Sequence, residues 1–141
     1  MATDDSHRSL TLERVAAGTF ATANNRGGRL VIGSGAGPDF TPVELLLAAI
    51  AGCTAIDVDI LTSRRAEPDS FEISVDAEKV RDEAGNHLQN IEVTYRLTFP
   101  AGDAGDQARA ILPEAVRRSH ERLCTVSRTV ELPTPVATRI A

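Results

Sequence analysis

The feature that most constrains this chain is the run Thr41-Pro42-Val43-Glu44-Leu45-Leu46-Leu47-Ala48-Ala49-Ile50-Ala51-Gly52-Cys53-Thr54-Ala55-Ile56. It opens with Thr at a helix N-cap, Pro at the first helical position and Glu three residues after the cap, a pattern that predicts a helix starting here. The helix can continue to Arg64-Arg65, and Pro68 stops it. Its middle is apolar on every side, which predicts a helix buried all round rather than one lying on a surface. The whole chain has 141 residues, enough for a single domain spanning 1–141. One domain of that size struggles to surround such a helix, and a second copy of the chain is the natural cover. The expectation is a homodimer. The apolar stretch from Leu45 to Ile56 is well short of the ~20 residues a membrane span needs, so no membrane partner is expected.

Strands flank this helix in the sequence. Leu10 to Val31 reads as two or three short strands broken by Gly18 and by the turn Asn24-Asn25-Arg26-Gly27-Gly28. Gly33 to Pro38 is a loop, and it lacks the Lys and the glycine spacing of a phosphate-binding motif. Phe71, Ile73, Val75 and Ala77 alternate with polar residues, as do Ile91, Val93, Tyr95, Leu97 and Phe99. Around the turn-forming Asp82-Glu83-Ala84-Gly85-Asn86, this period-two pattern predicts a hairpin with one buried face. After Pro100-Ala101-Gly102-Asp103, residues Ala108, Ile111, Leu112, Ala115, Ser119 and Leu123 form an apolar stripe at helical spacing. Cys124 falls off that stripe and becomes buried only where the chain leaves the helix. The tail, with Pro133 and Pro135, is expected as an edge strand or extended arm. The fold class is α+β.

Charge narrows the functions. The net charge of −5 argues against a nucleic-acid partner, which would need a cationic surface to displace phosphate counterions. The polar, acidic N-terminus carries no signal-peptide pattern, and a cytoplasmic location is expected. Two cysteines are too few for a secreted disulfide scaffold. They are therefore either inert core or chemistry.

Cys53 sits inside the apolar helix, where burial raises a thiol's pKa. It lies about three turns beyond the N-cap, too far for the helix dipole to help. A reactive Cys53 needs a cation from elsewhere, and Arg26 and Arg29 in the glycine-rich turn are the obvious suppliers. Cys124 alone is a core thiol. Paired with Cys53 it could resolve a sulfenic acid as a disulfide, which requires the two Cα atoms to come within about 7 Å. His120, four residues before Cys124, could line the same region, but the two together are too few for a zinc site. No metal and no cofactor is implied.

The stretch from Thr41 to Val58 resembles the central-helix signature of the OsmC/Ohr family. Ser119-His120-Glu121-Arg122-Leu123-Cys124-Thr125-Val126-Ser127 resembles that family's second cysteine motif. The element order is also similar: strands, cysteine helix, hairpin, second helix, second cysteine, final strand. The resemblance implies an OsmC-like fold with antiparallel sheets around long central cysteine-bearing helices, in an intertwined homodimer. It implies thiol-dependent reduction of organic hydroperoxides, with Cys53 as the attacking thiolate, Cys124 as its resolving partner and a dithiol reductant restoring both. Arg26 best matches the family's activating arginine, with Arg29 as fallback. The chain departs from the family peroxidases at Val43, where they carry Glu. Glu44 follows and points about 100° away around the helix. It is either an imperfect substitute or simply the capping-box acid. Two readings stay open: a thiol peroxidase, and a non-enzymatic OsmC-like protein that binds a small apolar or electrophilic ligand or senses oxidant.

Overall fold

A computed structural model of the chain describes residues 6–141. They divide into two compact units, one ending at Leu46 and the other running Leu47–Ala141.

The first unit is an antiparallel meander of β1 (Leu12–Ala16), β2 (Thr19–Ala23) and β3 (Arg29–Ile32). Gly18, at φ 67°, makes the first turn in a region where a Cβ is strained. The second turn is closed by the Asn24 side chain, whose Oδ1 accepts the Arg26 and Gly28 N–H groups at 3.0 and 2.9 Å. Residues 33–39 form the expected loop, and Phe40 bridges back to Ile32. Thr41 then starts the helix as the sequence predicts. Its Oγ1 accepts the Glu44 N–H at 3.2 Å, while the Glu44 carboxylate accepts the Thr41 N–H at 3.2 Å and its hydroxyl at 2.8 Å.

That helix, α1, spans Pro42–Ser63 and continues into the second unit. It is covered on one face only, by way of Ile50, Ala51, Thr54, Val58 and Thr62, while Ile56 and Ile60 are exposed. The expectation of a helix buried all round is thus corrected for a single copy of the chain, because one copy supplies elements to one side of it. Apolar character also runs past Ile56 through Val58, Ile60 and Leu61. Among the described residues α1 is therefore long and apolar enough to cross a membrane by length and composition alone.

The hairpin forms as read. β4 (Ser70–Asp82) and β5 (Gly85–Thr98) pair antiparallel, with Phe71 opposite Leu97, Ile73 opposite Tyr95 and Val75 opposite Val93. A bulge between Asp76 and Glu78 interrupts the ladder. Asn90, at φ 52°, takes up the extra residue on β5, and its amide donates to Glu78 Oε2 at 3.1 Å. Next comes α2 (Asp103–Arg118), which buries Gly105, Ala108 and Ala115. A π-helical turn, Ser119–Leu123, extends it.

That wider turn produces two departures from the sequence reading. It adds to the helix register, so Ser119 stays fully buried but Leu123 rotates outward to 43% exposure and leaves the stripe. The chain then leaves the helix at Cys124, which adopts an extended conformation and is completely buried. In place of a final strand, a short helix α3 (Thr125–Glu131) follows, and the Pro-bearing tail has no strand pairing.

Candidate active site

Within the second unit, α1 and the junction between α2 and α3 bring the two cysteines together. The half-buried Cys53 thiol meets the Cys124 thiol and the backbone of Val126. Cys124 Sγ is also the N-cap of α3. It accepts the Ser127 N–H at 3.3 Å and donates to Ser127 Oγ at 3.3 Å. Both cysteines are free thiols. Burial pushes the Cys53 thiol above its ordinary pKa, the Val126 backbone opposes this, and Cys124 and Asp57 add to the rise. Within its own unit no cation is among the groups acting on it. Such a thiol is mostly protonated at neutral pH.

A line of polar side chains, unforeseen from the sequence, runs beside the thiols. Tyr95 Oη lies 2.5 Å from Thr54 Oγ1, and Ser119 Oγ lies 2.8 Å from both Thr54 Oγ1 and Asp57 Oδ2. Thr54 and Ser119 are buried. The line spans α1, β5 and the end of α2, so it ties the two cysteine-bearing segments to the hairpin. Burial raises the Tyr95 phenol's pKa, a rise that the Thr54 hydroxyl opposes. A partial signal existed in the sequence. Thr54 and Asp57 are three apart on one helix, and Ser119 is a hydroxyl on an apolar stripe. Nothing in the sequence pairs positions more than sixty residues apart.

Next to this line lies a cavity of about 340 Å³. Its apolar walls come from Ile50 on α1, Ile91 and Val93 on β5, Val116 on α2 and Val130 on α3. Thr54, Tyr95 and Ser127 supply hydroxyls to it. His120 also lines it, and its Nε2 lies 3.3 Å from Glu131 Oε1.

The remaining sequence candidates belong to the first unit. Arg26 is exposed in the turn, and its guanidinium donates to Asn25 Oδ1 at 3.2 Å. Arg29 is exposed at the start of β3. Neither makes an ion pair among the described residues. The Glu44 carboxylate is occupied by Thr41, which is the capping role. Val43 is 40% exposed in the first turn of α1.

Comparison with known proteins places this arrangement. A model of the family described as OsmC-like protein matches residues 33–139, and the chain belongs to that family. An uncharacterized protein of Mycobacterium tuberculosis is 28% identical over 128 residues, covering 90% of this chain and 91% of the relative. Among solved structures, a hypothetical protein from Aquifex aeolicus superposes with a TM-score of 0.72 at 24% identity, over 89% of this chain and 87% of that one. The organic hydroperoxide resistance protein OhrB of Bacillus subtilis superposes with a TM-score of 0.55 at 21% identity, over 88% and 90% of the two chains. At these identities the structural matches establish the fold, an α+β arrangement of antiparallel sheets and three helices.

Proposed function

We propose that this protein reduces organic hydroperoxides through its two cysteines. The observation that carries the reading is the meeting of the Cys53 and Cys124 thiols in the interior. As a thiolate, Cys53 attacks the terminal oxygen of the peroxide. The O–O bond breaks, an alcohol leaves with the proton, and Cys53 becomes a sulfenic acid. The Cys124 thiol then attacks that sulfur, releasing water and forming a disulfide. A dithiol reductant closes the cycle by exchange. The relative named as an organic hydroperoxide resistance protein supports this chemistry by analogy of fold.

Activation is the demanding step, because every side-chain group that acts on Cys53 within its unit favours the neutral thiol. In this reading Arg26 supplies the missing positive charge, with Arg29 as the reserve. A second copy of the chain covers the open face of α1, where Ile56 and Ile60 are exposed. Asp57 and Asp59 on α1, with Asp57 held by Ser119, favour a protein neighbour over lipid on that helix. The working state is then a cytoplasmic homodimer, in a compartment that keeps thiols reduced.

A second reading rests on the raised Cys53 pKa and on Glu44 being committed to its cap. In that reading the chain is a binding protein that uses its cavity and performs no turnover. Stopped-flow oxidation of the reduced protein separates the two. Cumene hydroperoxide and hydrogen peroxide are added in separate runs, with Cys53→Ser and Cys124→Ser as controls. Fast, stoichiometric disulfide formation that requires Cys53 and favours the organic peroxide is expected. Oxidation no faster than that of a free thiol would leave the binding reading.

A further inference from the structure

The first N–H groups of a helix have no partner within it and need one from outside. In α3 two of them find sulfur. The Val126 N–H donates to the Cys53 thiol, and the Ser127 N–H donates to Cys124 Sγ at 3.3 Å. Cys124 returns the bond, donating its thiol proton to Ser127 Oγ at 3.3 Å. Both sulfurs of the thiol pair therefore serve as the cap of α3.

Little else holds this helix. It has seven residues, none of them buried, whereas an isolated helix needs ~12–15 residues to be even marginally stable. Its Arg128–Glu131 pair and its Thr129–Thr125 bond are internal. The contact from Glu131 to His120, at 3.3 Å, joins two exposed side chains, and such contacts contribute little. Yet α3 supplies Ser127, Val130 and Glu131 to the cavity of about 340 Å³, whose other walls stand on α1, β5, α2 and the π-turn.

Oxidation takes the cap away. The two thiols give up two electrons and two protons, and the sulfurs join. The proton that Cys124 gives to Ser127 Oγ is among those lost. Cys53 sits inside a 22-residue helix and Cys124 at a junction, so it is Cys124 that moves when their contact becomes a covalent bond. Its sulfur leaves the Ser127 N–H, and the start of α3 is drawn away from its place over Cys53.

We propose that the thiol pair is a redox latch on α3: the dithiol form caps this helix and holds it against the cavity, and closing the Cys53–Cys124 disulfide releases it and opens that side of the cavity to solvent. This rests on the two cysteines forming the disulfide that the proposed function assigns to them, and not on which oxidant drives it. In that function the electrons and protons pass to an organic hydroperoxide, which leaves as an alcohol and water.

The test compares hydrogen exchange in the reduced full-length protein and in protein oxidised with diamide, which takes up the two electrons and two protons as its hydrazine. Mass spectrometry verifies the intramolecular disulfide. Residues 125–131 should exchange about fivefold faster or more after oxidation, the usual worth of a helix cap, with α1 and the β4–β5 hairpin unchanged. Trypsin should cut after Arg128 faster by a similar factor. Cys124→Ala should quicken α3 without any oxidant. Cys124→Ser, which keeps a capping oxygen, should hold α3 as the reduced wild type does and show no response to diamide. Unchanged exchange in α3 on disulfide formation, equal quickening in α1, a Cys124→Ala protein with α3 as protected as the wild type, or no disulfide with diamide would each overturn the proposal. Because diamide replaces the peroxide, failure of hydroperoxide reduction is read separately from failure of the latch.

Discussion

Two segments deliver a cysteine to the same place by opposite means. α1 does it with regularity: 22 helical residues, a capping box at one end, and Cys53 in an unbroken interior. The segment from α2 to α3 does it with irregularity. An α-helix widens into a π-turn, the chain turns extended at Cys124, and a new helix starts with the cysteine sulfur as its cap. The contrast shows that a long helix fixes a side chain's position through its own hydrogen bonds, whereas a junction depends on what packs around it. The junction is therefore where single substitutions cost most.

The sharpest way to break the contrast is Gly105→Ala. Gly105 is buried in the first turn of α2, and a Cβ there would lie 1.7 Å from the Pro100 carbonyl oxygen. Backbone has to move, so α2 shifts and carries the junction with it. A loss of about 3 kcal/mol is expected in urea unfolding, the upper part of the range for overpacking. A loss below about 1 kcal/mol would mean that α2 is not held at Pro100.

Next in size is Ser119→Ala, which cuts two side-chain hydrogen bonds between the junction and α1. It leaves Thr54 and Asp57 short of a partner in a largely dry setting. About 2 kcal/mol is expected from denaturant unfolding, the usual cost of stranding a buried polar group. Hydrogen exchange should quicken in α3 more than in α1. Equal quickening in both would erase the asymmetry between the two segments.

How far each segment could be read from the sequence follows the same division. The capping box, the stop before Pro68 and the hairpin alternation are local patterns, and the structure reproduces them. Burial of Cys124 on leaving the helix was legible because the stripe excluded it. Leu123 and the absent final strand were not. A π-turn is an insertion in register with no residue signature, and cysteine is not among the usual cap residues. Thr54, Ser119 and Asp57 escaped because they meet only in three dimensions. Gly52 and Cys53 pointed to the cysteine helix, yet no local pattern shows which face of it a single copy leaves open.

The proposed activation is tested by Arg26→Ala. Without that guanidinium, burial, Cys124 and Asp57 all act upward on Cys53, so its thiol should titrate above the ordinary value. A pKa raised in the folded state stabilises below the ordinary thiol value of ~8.5. That contribution is lost as pH climbs from there through the folded-state value. The Arg26→Ala protein should therefore lose stability on the alkaline side, and Cys53→Ser should remove that loss. Rates of iodoacetamide alkylation from pH 6 to 11, in the Cys124→Ser background, give the pKa directly. Wild-type Cys53 is expected to titrate lower than the variant. Identical titrations would end the role assigned to Arg26.

The smallest effects belong to the start of α1. Thr41→Ala removes the Oγ1 that accepts the Glu44 N–H and donates to its carboxylate, at an expected cost of about 1 kcal/mol. Glu44→Gln keeps a side chain that still reaches back to the Thr41 N–H, and should cost less. The pair of substitutions also decides what Glu44 does. A carboxylate committed to its cap leaves Cys53 chemistry untouched, so Glu44→Gln should lower the melting temperature slightly while peroxide oxidation of Cys53 keeps its rate. A large fall in rate at unchanged stability would instead make Glu44 the acid that steadies the activating arginine in place of the residue at Val43. The helix start would then be part of the site, and the regular segment would depend on its neighbours as the junction does.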